Sequence, residues 1–179
     1  MKLRRCFNAP PKHMVDHIKI YLMKVPFSYQ SLLRLYPNKE NAIMFYKEQH
    51  MTYCPDCNTR LKRSLRKKNP LLLYCPECKK TISIFSDTVF HGTRADLRYW
   101  LYIGAIFHFC KETHPGIQIT HLLSQKSIKQ AIGASSDQTI RRIYTVLRRL
   151  FESTDYDDGI FRTLIFKPVA DSLSTTTGY

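Results

Sequence analysis

Two Cys-x-x-Cys pairs constrain the fold of this chain more than any other feature. Cys54 to Cys57 reads CPDC and Cys75 to Cys78 reads CPEC, with seventeen residues between the pairs. Each pair predicts a tight knuckle, and the insert is long enough for a hairpin, so four thiolates can reach the corners of one tetrahedron. Four sulfur ligands leave no open coordination position where water could be activated. The pattern therefore predicts a small ribbon built around a structural metal ion.

Zinc is the metal that this spacing favours, and iron in a rubredoxin-like site is the main alternative. Rubredoxin-type knuckles usually carry glycine after the second cysteine, whereas Asn58 and Lys79 stand at those positions. His91 lies close to the ribbon in sequence, but four cysteines already satisfy zinc. We therefore predict one structural Zn²⁺, and its ligands are Cys54, Cys57, Cys75 and Cys78.

The charge of the chain points to a polyanionic partner. Lysine and arginine number 28 against 14 acidic residues, which gives a net charge of +14. The excess lies in residues 1–150, whereas residues 151–179 hold 2 basic and 5 acidic side chains. Nucleic acid is favoured over an anionic membrane surface. We predict double-stranded DNA as the partner, with no membrane and no small-molecule substrate.

The lack of a recognisable targeting signal and the cysteine usage indicate an intracellular protein. The start of the chain has no apolar core of the signal-peptide type. The most apolar run, 99–107, is shorter than the roughly 20 residues of a membrane span. Four of the six cysteines belong to the knuckles, which fits a reducing compartment better than a disulfide framework.

Hydrophobic periodicity predicts helices on both sides of the ribbon. Before it we expect helices over 13–24, 28–35 and 38–48, the last capped by Asn38. The buried face of that last helix should contain Ala42, Met44 or Phe45, and Tyr46. Segments 71–74 and 81–85 read as ribbon strands. After the ribbon, Thr93 should cap a central, buried helix with Trp100 in the core.

The insert between the knuckles is strongly basic. Residues 58–70 contain six cations and no acid, and their alternation predicts a hairpin with a cationic tip and edge. A solvated loop is the usual explanation of such a run. Because the run adds to an already basic chain, we interpret it as a DNA-backbone contact. The predicted phosphate contacts in this insert are Arg60, Lys62, Arg63, Arg66, Lys67 and Lys68. Two more, Ser135 and Arg148, lie in a second basic region further along the chain.

The second region of the chain that predicts DNA binding is residues 117–151. Apolar residues from Ile119 to Ile132 recur at helical spacing and are followed by Gly133. Ser135 and Gln138 form a capping box that opens another helix. Helix, glycine turn and capped helix with a cationic outer face is the pattern of a helix-turn-helix, and an ordinary helical hairpin is the alternative. The side chains predicted to reach base edges are Gln138, Arg141, Arg142 and Thr145.

The order of these parts resembles the N-terminal half of bacterial zinc-ribbon insertion-sequence transposases. The resemblance covers about residues 36–151 and rests on YPNKENA at 36–42, the knuckles, FSDTVFHGTRADLRYWL at 85–101 and the helix pair. In that family the ribbon and helix-turn-helix are thought to recognise transposon-end DNA, and an RNase-H-like domain with an acidic triad follows. Only 28 residues follow Phe151 here, and Asp155, Asp157 and Asp158 are expected to form a solvated acidic turn. The resemblance implies DNA binding without its usual catalysis.

Together these signals predict a mostly helical α+β chain. Its parts are a basic arm with N-terminal helices (1–50), a four-cysteine zinc ribbon (51–92), a helical domain with the helix-turn-helix (93–152) and an acidic, apolar tail (153–179). We expect a non-catalytic, transposase-derived, sequence-specific DNA-binding protein associated with the bacterial nucleoid. It would act as a transcription regulator or mobile-element accessory factor.

Two other functions stay open from the sequence. The chain would be the targeting half of a transposase if its catalytic half lies on another chain or has been truncated. It would instead be a zinc-ribbon adaptor if Phe161, Leu164, Ile165 and Phe166 in the tail dock a protein partner or a second copy. That apolar cluster is otherwise expected to form a packed terminal strand.

Overall fold

The chain is mostly helical and carries one small antiparallel sheet, as predicted. The computed structural model describes residues 25–50, 53–63, 71–133 and 136–176, so the predicted helix over 13–24 lies outside the described residues. The helices are α1 (Tyr29–Leu35), α2 (Lys39–His50), α3 (Leu97–Thr113), α4 (Ile119–Leu122), α5 (Gln125–Ile132), α6 (Asp137–Glu152) and α7 (Tyr156–Thr176). The strands are β1 (Lys62–Arg63), β2 (Leu72–Tyr74) and β3 (Thr81–Ser83), in the order β1-β2-β3.

Side-chain caps start the first two helices, α1 and α2, as predicted. Ser28 Oγ accepts a hydrogen bond from the Ser31 N–H at 3.2 Å, and Asn38 Oδ1 accepts one from the Asn41 N–H at 2.9 Å. These bonds satisfy backbone donors that have no partner inside the helix. In both helices the side chain of the capping residue therefore supplies the hydrogen-bond acceptor that a preceding turn would otherwise provide.

The buried face of α2 differs from the prediction at one position. Ala42, Ile43 and Tyr46 are buried, whereas Met44 is 58% exposed and Phe45 is half-buried. At 100° per residue, Ile43 lies on the same side as Ala42 and Tyr46, and Met44 points away from both. Of the two predicted alternatives Met44 is wrong, whereas Phe45 packs partly buried against the core.

The core is organised around α3, which is apolar on nearly all sides. Trp100 is 1% exposed, which confirms it as a core residue. The helix packs most extensively against α7 and α6. An aromatic chain of Phe85, Phe90 and Trp100 connects the sheet to this helix, with ring centroids 5.6 and 5.2 Å apart. The sheet, too small for a core of its own, thus shares the core of the helices.

The predicted cap of α3 is wrong by three residues. Asp96 precedes the helix, and its Oδ1 accepts a hydrogen bond from the Arg98 N–H at 2.9 Å. Thr93 lies too early in the chain to reach the first turn. Its hydroxyl oxygen instead accepts a hydrogen bond from the indole Nε1–H of Trp100 at 3.2 Å. Thr93 therefore fixes the orientation of the core tryptophan.

We expect Asp96→Ala to destabilise the fold by about 1 to 2 kcal/mol, the range for loss of a good cap. Burial alone would raise the pKa of Asp96, but hydrogen bonds and charge from Arg98 hold that pKa below its ordinary value. The contribution is therefore present at neutral pH and is lost as the pH falls through this lowered pKa. Denaturant unfolding at neutral pH measures the loss. Asp96→Asn is the control, because it keeps the capping oxygen. Equal stability of Asp96→Ala and the unchanged protein would contradict the assignment.

The sheet pairs β1 with β2 and β2 with β3, both antiparallel. Leu73 lies opposite Ile82 across the second pair. The third strand ends at Ser83 and is shorter than the predicted 81–85. The Ile84 N–H still donates to the Leu71 carbonyl oxygen at 2.9 Å, and Ile84 and Phe85 are buried in the core. The sheet thus contacts the helical core through Ile84 and Phe85, and the two knuckles lie at the edge of the sheet.

The region 117–132 forms two short helices and not the single predicted one. Ser124 starts α5 by accepting a hydrogen bond from the Ser127 N–H at 3.2 Å. Gly133 ends α5 in the left-handed conformation with φ 68°, at the predicted break. The cap of α6 is Ser136, whose Oγ accepts from the Thr139 N–H at 3.4 Å. The cap thus lies one residue after the predicted Ser135, which itself lies outside the described residues.

The terminal segment is a helix, so the predicted terminal strand is wrong. In α7 the residues Ile165, Phe166, Val169 and Leu173 are buried at intervals that suit a helix and not a strand. Asp157 and Asp158 lie in its first turn, and Asp155 just before it accepts a hydrogen bond from the Asp157 N–H at 2.8 Å. The predicted acidic turn is therefore the start of a helix, although Asp155 and Asp157 are exposed, as predicted. Negative charge at that end of a helix is stabilising. Among the described residues, we find no helix that combines the length and apolarity needed to cross a membrane.

Candidate functional site

The four knuckle cysteines come together at the edge of the sheet. Their sulfur atoms all lie within 4.8 Å of one another, with Cys54 Sγ 3.9 Å from Cys78 Sγ and Cys57 Sγ 3.4 Å from Cys75 Sγ. A tetrahedral site with metal–sulfur bonds of about 2.3 Å has sulfur atoms about 3.8 Å apart. The separations bracket that value, so the cluster could hold one metal ion.

Each knuckle has the same backbone construction. The Cys54 N–H donates to the Thr59 carbonyl oxygen at 2.8 Å, and the Cys75 N–H donates to the Lys80 carbonyl oxygen at 3.0 Å. Within both turns the residue after the second cysteine is left-handed, with φ 54° at Asn58 and 58° at Lys79. Asparagine tolerates this conformation well, whereas lysine adopts it at some cost. The two turns therefore present their sulfur atoms in matching geometry without glycine.

Contact between the sulfur atoms changes their proton affinities. Hydrogen bonds from Thr59 lower the pKa of Cys57 to about 6. The hydrogen bond with Cys57 raises the pKa of Cys78 to about 12. The shift at Cys57 thus comes mainly from Thr59, whereas the shift at Cys78 comes mainly from its contact with Cys57. A divalent cation would take the place of the thiol protons, since thiolate is the form that binds metal.

The two cysteines that face the core fix the site in place. Cys75 is fully buried and Cys54 is 2% exposed, whereas Cys57 lies in solvent. Lys80 Nζ lies 2.6 Å from Asp56 Oδ2 and joins the two knuckles at the surface. Both groups are well exposed, so this ion pair contributes little stability. The donor set and its burial suit a closed structural site that soft metals such as zinc or iron prefer.

The predicted phosphate contacts of the hairpin are only partly described. Arg60 and Lys62 are exposed, and Arg63 pairs with Leu73 as part of β1. Arg66, Lys67 and Lys68 lie outside the described residues, as does Ser135. The described part of the hairpin thus presents two cationic side chains to solvent beside the cysteine cluster.

The predicted base-reading residues share the outer face of α6. Gln138, Arg141 and Arg142 are exposed, and Thr145 is half-buried. The opposite face contains the predicted apolar stripe, which is buried throughout: Ile140, Ile143, Leu147 and Leu150. Helix α6 is thus held by its apolar face and leaves its polar face to solvent.

At the end of α6 the more exposed arginine is Arg149, which the sequence pattern did not single out, and not the predicted Arg148. Arg148, a predicted phosphate contact, is half-buried, and its Nε lies 3.9 Å from Glu152 Oε2. Arg149 is exposed on the same face as Arg141 and Arg142. Helical periodicity could have found Arg149, because it lies seven residues after Arg142, which is close to two whole turns.

A groove between α5 and α6 contains further polar residues that the sequence pattern missed. Lys126, Lys129 and Arg141 line it together with Gln138. Lys129 Nζ lies 2.5 Å from Asp137 Oδ1, which fixes the first turn of α6 against α5. On the buried side the Tyr144 hydroxyl donates to the Leu123 carbonyl oxygen at 2.7 Å. The ion pair thus joins α5 to α6, and the Tyr144 bond joins α6 to the segment between α4 and α5.

Comparison of this chain with protein-family models, with curated proteins and with solved structures gives no match.

Proposed function

We propose that the chain is a non-catalytic, sequence-specific double-stranded DNA-binding protein of transposase-derived type. Helices α5 and α6 act as a helix-turn-helix, and a zinc ion in the cysteine cluster fixes the basic hairpin. The observation that carries this function is the exposed row of Gln138, Arg141 and Arg142 on a helix whose other face is buried. The biological role would be that of a transcription regulator or mobile-element accessory factor.

Rigidity of the helix pair supports this function. A reading helix must keep its outer face in a fixed position, because phosphate contacts set register and only a few side chains reach base edges. The left-handed Gly133, the capped start of α6 and the Tyr144 hydrogen bond provide that fixed position. The outward residues lie in the first turns of α6, where recognition helices contact bases.

The residue types suit base reading. Arginine donates two hydrogen bonds to guanine O6 and N7, and glutamine pairs similarly with adenine. Lys126 and Lys129 on α5 add positive charge beside the same groove, where they suit phosphate contacts. Asp137 would repel phosphate, but Lys129 neutralises it. The outer face therefore combines side chains that suit base edges with cations that suit the backbone.

The cysteine cluster has a structural task in this function. A hairpin of short strands is unstable alone, and a metal ion supplies the missing stability. Arg60 and Lys62, both exposed, would then hold phosphates of the bound DNA. Zinc suits this task because it is redox-inactive and accepts four thiolates.

We expect Arg141→Ala to relax sequence preference at one base position by about 1 to 3 kcal/mol, the worth of one bidentate arginine–base contact. Selection of bound duplexes from a random pool, with the unchanged protein and with the variant, measures the preference. Arg149→Ala is the matched control, because Arg149 is an exposed arginine on the same face about 12 Å further along the helix. It should weaken binding to all sequences alike.

An unchanged preferred sequence after Arg141→Ala would contradict the recognition role of α6. Absence of any enriched motif with the unchanged protein would contradict specific DNA binding as a whole. Binding of the unchanged protein should also weaken with added salt, because each neutralised phosphate releases a counterion.

A further inference from the structure

An apolar ridge runs along the solvent side of α7. Tyr156, Ile160 and Leu164 recur every four residues and are 80%, 41% and 42% exposed. They make up half of the large exposed hydrophobic side chains in the described part of the chain. Their spacing places them on one helical face, opposite the buried Ile165 and Val169. A continuous exposed apolar face of this kind marks an interaction surface.

Grooves of opposite charge flank the ridge. Ile160 and Leu164 line both grooves. One groove, of about 620 Å³, contains Lys111 and Arg162, with Glu112 and His108 beside them. The other contains Asp87, Asp157 and Asp158. Both signs of charge are therefore present on one surface, separated by the apolar ridge.

The charge distribution of the chain favours association at this surface. Two copies of a protein with a net charge of +14 repel each other over most of their area. Residues 151–179 hold 2 basic and 5 acidic side chains, so α7 belongs to the one acidic part of the chain. Self-association there encounters the least repulsion.

We propose that the ridge on α7 is the interface with a second copy of this chain. A two-fold axis parallel to the helix brings the ridges together and sets each acidic groove opposite the basic groove of the partner. A two-fold interface needs a surface that is complementary to itself, and opposite charges on the two flanks provide this. The dimer is independent of DNA binding, but it would present two copies of α6 to two half-sites.

Sedimentation equilibrium of the full, metal-loaded chain without DNA tests the interface. Across the micromolar range we expect the mass to rise to twice the 21.1 kDa of one chain. Ile160→Asp should weaken association at least tenfold, because it places a charge in the centre of the ridge. Met44→Asp is the matched control, since Met44 is a 58% exposed apolar residue on α2, and it should leave the dimer intact.

Asp157→Lys gives a second test that does not depend on the core, because Asp157 lies in solvent. It should weaken association at low salt and have a smaller effect at high salt, where charges are screened. A monomer at every concentration would overturn the proposed dimer, as would a dimer that neither Ile160→Asp nor Asp157→Lys weakens. Because the measurement contains no DNA, its failure would leave DNA binding untouched.

Discussion

Replacing Cys75 with serine is expected to reduce the bound metal from one ion per chain to none. Cys75 is fully buried, so its sulfur cannot be replaced by a ligand from solvent. A serine oxygen is a harder and much less acidic donor, which suits zinc poorly. Native mass spectrometry and elemental analysis of the purified variant measure the metal content.

The same substitution should greatly lower the stability of the sheet. Structural zinc contributes about 10 to 16 kcal/mol of binding free energy at neutral pH in small zinc domains, which sets the upper limit of the loss. Leu73 and Phe85 join the sheet to the core, so the helices should retain part of the fold. Thermal unfolding should therefore change from one transition to an earlier, broader one. A chelator added to the unchanged protein should reproduce this result.

Cys110→Ser is the matched control for the metal site. Cys110 is another buried cysteine, 8% exposed, that lies in α3 and does not belong to the cluster. Its replacement removes packing but no metal ligand, so one ion per chain should remain. Full metal content in Cys75→Ser would contradict the site. The colour of the unchanged protein decides between the two metals, because zinc is colourless and iron in such a site is red.

Local signals in the sequence predict the parts of the site that depend on a few neighbouring residues. The cysteine spacing fixes which sulfur atoms can meet, because each knuckle closes through its own backbone hydrogen bonds. The outer face of α6 follows from one helical period, so the exposure of Gln138, Arg141 and Arg142 agrees with the pattern. Gly133 breaks the helix where a left-handed residue is needed.

Features that depend on tertiary contacts are not visible in the pattern. Thr93 is a good capping residue by type, but α3 begins only after Asp96, and the threonine hydroxyl is used by Trp100. The ion pair of Lys129 with Asp137 joins two helices and has no sequence periodicity. The sequence pattern could not predict these contacts, because they depend on how whole helices pack against one another.

The type of the terminal element also depends on tertiary contacts and could not be predicted from the sequence pattern. Short apolar runs such as 164–166 fit a buried strand as well as a helix, and only the position of their partners decides between them. Here the partner is α3, which has a glycine at the point where α7 crosses it. A helix places Ile165, Phe166 and Val169 together on the side that faces α3, which a strand cannot do.

Gly104→Ala is accordingly expected to destabilise the helical core by about 1 to 3 kcal/mol, the usual cost of overpacking. A methyl group on Gly104 would overlap the ring of Phe166, with the Phe166 Cγ atom only 2.8 Å away. The ring is fully buried and cannot move aside without disturbing α7. The clash should outweigh the gain of about 1 kcal/mol that alanine normally brings to a helix. Denaturant unfolding of the full chain measures the change.

Gly159→Ala is the matched control, because it makes the same substitution inside α7 in a position with room for a methyl group. The added atom would meet only the Arg162 side chain, at an ordinary contact distance of 3.5 Å. This variant should therefore gain stability by about 0.5 to 1 kcal/mol. Phe166→Leu combined with Gly104→Ala should cost less than the sum of the two single changes, because the smaller side chain makes room for the methyl group. A double variant whose loss of stability equals the sum of the two single losses would contradict the contact between Gly104 and Phe166.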